Sequence, residues 1–239
     1  MKILSIESAS LVASAALTED DILLAECTSN FKKTHSETLL PMIDQVLKMT
    51  DTEPASLDAV AVSEGPGSFT GLRIGASTAK GLAYALNIPI IGVSETDALA
   101  YGMYGSACIL CPILDARRDQ VYTGLYEFSD GEFIIHQAAA ALSLTEQLKN
   151  AELLSEKTGK EIMFLGDGLK TYENRIRELC TKRVLFAPSS LRYQRASNIG
   201  ALGLELYKKG RTVSAEEFLP VYLRKSQAEI NLETNKRRN

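Results

Sequence analysis

One run governs what this chain can fold into: Ser63-Glu64-Gly65-Pro66-Gly67-Ser68-Phe69-Thr70-Gly71-Leu72-Arg73-Ile74-Gly75. It follows the apolar residues 59–63, which read as a strand, and opens a helix predicted over about 70–87. Glycine on both sides of Pro66 permits a tight turn where side chains would collide. Ser68 or Thr70 can cap the helix, and its free N–H groups suit an anion. The run nevertheless lacks a terminal Gly-Lys-Ser/Thr, and Thr70 stands where the third glycine of G-x-G-x-x-G would be. A structural or interface role is the stronger reading, with direct phosphate binding left open.

The helix itself narrows the choice. Gly71, Gly75, Ala79 and Ala83 fall four apart and form a ridge with almost no side chain. Leu72, Ile74, Leu82 and Leu86 cover most of the remaining circumference, leaving a polar sector of Arg73, Lys80, Tyr84 and Asn87. So apolar a helix needs a second surface besides one sheet, and small residues let that surface come close. The covering element is either the chain's own sheet with the neighbouring helix, or a helix of another chain. The neighbouring helix is predicted over 35–49, where Leu39, Ile43, Val46 and Leu47 recur at helical spacing with Leu40 at the edge of the stripe. Pro41 is expected to kink this helix or delay its start.

Around these elements the chain reads as a duplication. Residues 2–8, 13–17 and 21–28 suit an antiparallel meander, followed by the 35–49 helix, the 59–63 strand, the 70–87 helix, a strand at 90–93 and a short helix at 96–103. The second half repeats the style, with strands at 108–114, 120–128 and 132–137, a helix at 142–154, a strand at 162–166, and helices at 169–180 and 196–209. The expected organisation is an N-terminal lobe over 1–104, a C-terminal lobe over 105–213 and an irregular segment over 214–239.

Composition excludes several functions. The 239 residues carry 26 basic and 30 acidic side chains, a net charge of −4, which argues against nucleic acid as a tight autonomous partner. The basic end Lys236-Arg237-Arg238 reads as a solvated tail or a weak RNA or partner contact. Met1-Lys2 leads straight into a strand, no signal peptide is read, and no apolar run approaches the ~18 residues of a membrane span. The expected location is the cytoplasm. Cys108 and Cys111 have C-x-x-C spacing but lie in an apolar strand without a second pair, so buried, inert thiols are expected. The two histidines, His35 and His136, lie in different halves, and no histidine-pair metal site is readable. His35 suits capping or an interface contact. Asp115-Ala116-Arg117-Arg118-Asp119 reads either as a salt-bridged turn or as a ligand or partner contact. No motif assembles a nucleophile, a base and an oxyanion site.

Taken together, the motifs resemble one family. Ile3-Leu4-Ser5-Ile6-Glu7-Ser8, His35-Ser36-Glu37-Thr38-Leu39-Leu40-Pro41, the run from Gly65 to Gly75, Ala79-Lys80-Gly81-Leu82-Ala83, Ile88-Pro89-Ile90-Ile91-Gly92-Val93-Ser94, Asp115-Ala116-Arg117-Arg118 and Tyr222-Leu223-Arg224 are similar to the TsaB, or YeaZ, family. The likeness runs nearly end to end and is thin over about 128–163. It implies an α/β fold of two duplicated actin-like lobes, of the ASKHA, ribonuclease H-like kind. It also implies a non-catalytic role in making N6-threonylcarbamoyladenosine on tRNA, as partner of the transferase TsaD and with the ATPase TsaE.

The resemblance implies no catalytic, metal or cofactor residue. The sibling transferase's H-x-x-x-H metal motif falls here on Glu95 and Leu99, and leucine cannot ligate. The superfold's first hairpin carries an acidic residue closely followed by glycine; Glu7-Ser8-Ala9-Ser10 has none, and Glu7 replaces a common Asp. At most a weak nucleotide contact at the junction with TsaD is implied. The expected docking surface comprises His35, Leu39, Leu40, Ile43 and Leu47 on the first helix, and Leu72, Arg73, Gly75, Ala76, Ala79, Lys80 and Ala83 on the second. In isolation the same surface would pair two copies. Contact with tRNA is expected only through the complex, with Arg224, Lys225 and the basic end as candidates. The rival readings are a metal-dependent glycoprotease-like peptidase and an ATP-dependent kinase of the same superfold.

Overall fold

A computed structural model describes residues 1–31 and 33–224. The first sheet has the order β3-β2-β1-β4-β5, built from β1 (Lys2–Glu7), β2 (Ala13–Glu19), β3 (Ile22–Ser29), β4 (Ala59–Gly65) and β5 (Ile90–Ser94). β1 runs antiparallel to β2 and parallel to β4. It is central and covered on both faces, which is why Ile3-Leu4-Ser5-Ile6 does not alternate with charges. The hairpin between β2 and β3 turns at Asp20, whose φ of 53° is the left-handed conformation that Asp tolerates.

Two helices cover one face. α1 (His35–Met49) opens at Thr34 in a capping box with Glu37, and α2 (Phe69–Leu86) opens at Ser68, whose hydroxyl accepts from the Gly71 N–H. Pro41 does not delay α1, which starts at His35 with Pro41 on its exposed side. Leu4, Ile6, Leu39, Ile43, Val46, Val60, Val62, Ala79 and Ala83 form the core beneath these helices. A short helix, α3 (Glu95–Tyr101), follows β5.

The second sheet has the order β11-β10-β6-β8-β7, with β9 paired to β8. Its strands are β6 (Ile109–Pro112), β7 (Leu114–Asp115), β8 (Gln120–Ser129), β9 (Glu132–Ser143), β10 (Ile162–Leu165) and β11 (Val184–Phe186). α4 (Leu144–Thr158) and α5 (Leu169–Leu179) pack on it, around Ile109, Leu148, Phe164 and Ile176. The one-turn α6 (Ser189–Arg192) leads to α7 (Ala196–Lys208).

Four features depart from the sequence reading. The strand expected over 108–114 is interrupted at Ile113, and β9 continues to Ser143, displacing the start of α4 to Leu144. The short β11 was not foreseen. The largest departure concerns α7. Residues 196–208, grouped by sequence with the second lobe, pack on the far face of the first sheet with Ile3, Ala59, Ala61, Ile91 and Val93. The segment after α7 stays on that lobe: Val213 bridges Ile90, and Phe218 enters the core beneath α2. Residues 214–224 form no helix or strand; Lys225 and the basic end lie outside the described residues. Among the described residues no helix is long and apolar enough to cross a membrane. Cys111 is buried in the second core, and burial pushes its thiol up to about 11.

Candidate functional site

The small-residue ridge of α2 faces inward. A side chain at Gly67 or Gly71 would overlap the carbonyl oxygens of Ala9 and Ser8, and one at Gly75 would overlap the Ser8 hydroxyl. Ser68 N–H donates to the Ala9 carbonyl at 2.6 Å, and the Ser8 hydroxyl donates to the Gly71 carbonyl at 2.9 Å. Glycine is required because the first turns of α2 are pressed against the loop after β1. This corrects the expected docking surface. Leu39, Ile43, Leu72, Gly75, Ala76, Ala79 and Ala83 are all buried within the chain, against its own sheet and hairpin. Helical periodicity showed that this face would be covered but could not say by what.

The rest of the expected set divides in two. His35 is half-buried, and its Nε2 lies 2.8 Å from the Ser10 carbonyl, a tertiary contact that ties α1 to the same loop. Lys80 donates to the carbonyls of Glu216 and Phe218 at 3.2 and 2.9 Å, so it holds the chain's own C-terminal segment. Leu40, 57% exposed, Leu47, half-buried, and Arg73, exposed over the Phe69 ring at 4.0 Å, remain on the outside. Between the helices runs a shallow groove of about 550 Å³, lined by His35, Ser36, Leu39, Leu40, Phe69, Thr70, Arg73, Ile74, Ser77 and Thr78.

That C-terminal segment forms a strap which the sequence signalled only through Tyr222-Leu223-Arg224. Gly65, at φ 122°, lies so close to Val221 that a Cβ there would sit 2.5 Å from its carbonyl oxygen. Val221 N–H donates to the Glu64 carbonyl at 2.7 Å. Tyr222 packs on Phe69 with ring centroids 4.8 Å apart, and Arg73 Nε donates to its hydroxyl at 3.4 Å. Arg224 then reaches the second lobe, donating to the carbonyls of Ala116 and Arg117.

A cleft of about 1000 Å³ separates the lobes. The 115–119 turn lies on its rim, with Arg117, Arg118 and Asp119 all in the left-handed region. Arg117 pairs with Asp115 at 3.5 Å, whereas Asp119 pairs with Arg175 of α5. The turn is therefore salt-bridged: Arg117–Asp115 is internal to it, and Asp119 is bridged outward to α5.

Beneath the cleft lies a buried carboxyl pair. Glu7 Oε1 accepts the N–H groups of Ala9 and Ser10 at 2.8 and 3.2 Å. Its other oxygen faces the Glu95 carboxyl, which also interacts with the Ser63 hydroxyl. Such a pair is satisfied when one carboxyl keeps its proton. Burial, then the negative charge and hydrogen bond of Glu95, hold Glu7 well above the usual carboxylate range; burial raises Glu95 as well. Asp167, at the end of the second sheet, is also raised by burial and adds its charge to the surroundings of Glu95. The pairing of Glu7 with Glu95 carried no sequence signal, because the two belong to separate motifs. Leu99, four residues on, is 1% exposed among Leu110, Leu114 and Tyr126. Among the described residues no three His, Cys, Asp or Glu side chains converge as metal ligands would.

Two α/β lobes joined over a cleft, each a mixed sheet backed by helices, make a two-lobe fold of the actin-like kind. Residues 23–232 match the family described as "TsaD: tRNA N6-adenosine threonylcarbamoyltransferase". The chain is 33% identical over 231 residues to the tRNA threonylcarbamoyladenosine biosynthesis protein TsaB of Bacillus subtilis (strain 168), with 96% of each chain covered. It is 30% identical to the protein of the same name from Escherichia coli (strain K12), covering 95% of this chain and 96% of that one. The solved structure of YeaZ from Pseudomonas aeruginosa superimposes with a TM-score of 0.76 at 28% identity, covering 93% of this chain and 99% of the other. The chain belongs to the TsaB (YeaZ) family, as its motifs suggested.

Proposed function

We propose that this chain is a non-catalytic subunit in the biosynthesis of threonylcarbamoyladenosine on tRNA, and that it binds TsaD through the outer strip of α1 and α2. The pathway is the one named for the relatives that span nearly its whole length. The observation that carries the docking site is the groove between the helices, where Leu40 stays 57% exposed beside Ile74 and Ser77. Isolated exposed leucines are ordinary, but one flanking an open apolar groove marks a surface that gains from being covered. The non-catalytic part rests on side-chain chemistry. The positions matching the transferase's paired histidines hold a carboxyl locked to Glu7 and a leucine sealed in the core.

The same strip pairs two copies when the chain is alone, and TsaE joins the assembled pair. A nucleotide held weakly at the TsaD junction belongs to this proposal, as does a cytoplasmic location, where tRNA is available. The test uses exposed positions, because arginine at Ala76 or Ala79 would disrupt the core instead. Leu40→Asp and Ser77→Arg should lower TsaD capture about tenfold or more while leaving the thermal midpoint in place. Wild-type capture by both variants would remove the docking site from this face.

A further inference from the structure

The chain is acidic overall, with a net charge of −4, yet its basic side chains gather at the mouth of the interlobe cleft. Among the described residues Lys33, Arg117, Arg118, Lys170 and Arg224 line it, against two carboxylates, Asp115 and Asp167. Asp115 accepts the Arg117 N–H at 2.8 Å and pairs with its guanidinium. Asp167 is half-buried, and burial raises its carboxyl. Lys33 and Lys170 are exposed and enter no ion pair among the described residues, and Arg117 keeps 82% of its side chain exposed. The rim is therefore positive on a negative molecule, the asymmetry that draws a polyanion to one place.

Two more features separate RNA from an acidic protein face. Phe31, 72% exposed, and Tyr222, 40% exposed, line the same cleft, and cations interleaved with open aromatic rings suit a nucleic acid strand whose bases can stack. The hydroxyls of Ser36, Thr70 and Thr171 border the cleft as well, and neutral hydroxyl donors are a regular complement to phosphate oxygens. Arg224 is occupied by the carbonyls of Ala116 and Arg117. Its part is to hold the 115–119 turn, and with it Arg117, on the rim.

We infer that the cationic rim formed by Lys33, Arg117 and Lys170 is a contact surface for the phosphate backbone of a loop or single-stranded segment of the tRNA substrate. This inference rests on the family reading above, which supplies the RNA. The rim supplements binding by the assembled complex, in keeping with a chain too acidic to hold RNA by itself.

The test uses the full chain with TsaD and a fluorescently labelled tRNA transcript, titrated at salt steps between about 50 and 200 mM. The variant is Lys33→Glu/Arg117→Glu/Lys170→Glu. A charge-matched control is Lys149→Glu/Lys157→Glu/Lys209→Glu, and Lys33→Ala/Lys170→Ala is a milder variant should the triple reversal melt early. The rim variant should bind tRNA about tenfold more weakly or worse, with the slope of log K against log salt reduced by about 2. The milder pair should show a smaller loss of the same kind, and the control should match wild type. Wild-type affinity in both rim variants overturns the inference. So does an equal loss in the control, since net charge would then be responsible. Loss of TsaD capture with tRNA affinity intact also overturns it, by making the rim a protein contact. The same preparations are assayed for threonylcarbamoyl incorporation with this chain present and omitted. A wild-type chain that adds nothing to modification sinks the family role, whereas modification by wild type alongside unchanged rim-variant binding sinks only the RNA contact.

Discussion

Gly75→Ala tests the direction in which α2 presents its ridge. In a free helix alanine is favoured over glycine by about 1 kcal/mol, so an outward or solvent-facing position would be stabilised. At this position the new methyl would overlap the Ser8 hydroxyl oxygen and lie 3.5 Å from a Val62 methyl. Ser8 is buried and donates to the Gly71 carbonyl at 2.9 Å, so moving it aside forfeits a bond worth about 1 kcal/mol. Overpacking adds about 1–3 kcal/mol. The net expectation is a destabilisation of about 1–3 kcal/mol, each kcal/mol lowering Tm by about 2–4 °C at this chain length. Ser8→Ala removes the overlapped atom and leaves a Cβ 3.7 Å from the new methyl, which is ordinary contact. In that background the penalty for Gly75→Ala should shrink, giving a coupling of about 1–2 kcal/mol in a double-mutant cycle read by urea unfolding. A neutral or stabilising Gly75→Ala in the wild-type chain, or an equal penalty with and without the Ser8 hydroxyl, would refute the inward packing.

The remaining predictions follow the same geometry. Glu7 titrates higher in the folded state than when unfolded, so the native state holds the extra proton; its contribution is present below the unfolded value and is lost as pH rises through the folded one. Glu7→Gln keeps a donor for Glu95 without the charge, and the Tm advantage of the variant should be larger at pH 8 than at pH 5; a pH-independent difference would contradict the shared proton. Phe218→Ala empties a core position under α2 and should cost about 3–5 kcal/mol in chemical unfolding, against no more than about 0.5 kcal/mol for Leu219→Ala, which is 72% exposed; equal effects would mean that the strap is not anchored at Phe218. Leu40→Asp and the rim reversal add the two binding tests given above.

Local signals in the sequence were read correctly where the physics is local. Ser68, one of the two caps read for α2, does cap it, and both helices start within a residue of expectation, although the Thr34–Glu37 box that opens α1 went unread. Buried strands carry uninterrupted apolar runs, and β1, β4 and β5 were found on that ground. What failed depends on partners distant in sequence. Periodicity identified the face of α2 that must be covered, yet only the fold shows Ser8 and Val62 covering it. The amphipathic pattern of α7 says nothing about which sheet receives it. Three residues of β11 are too few to register a period. The strap is polar and irregular, and the value of Phe218 emerges only when Lys80 is seen holding its carbonyl. The same non-locality explains why Lys80 read as a partner contact.

The path of α7 carries a consequence for how the two halves hold together. Ile3, Ala61, Ile91 and Val93 are sealed by side chains contributed from the far end of the polypeptide, so residues 1–104 by themselves would leave a greasy sheet face bare to water. Arg224 then returns to grip the turn at 116–117. The tandem halves are thus cross-stitched, and cutting the chain at the midpoint would yield a fragment prone to aggregate rather than a working lobe.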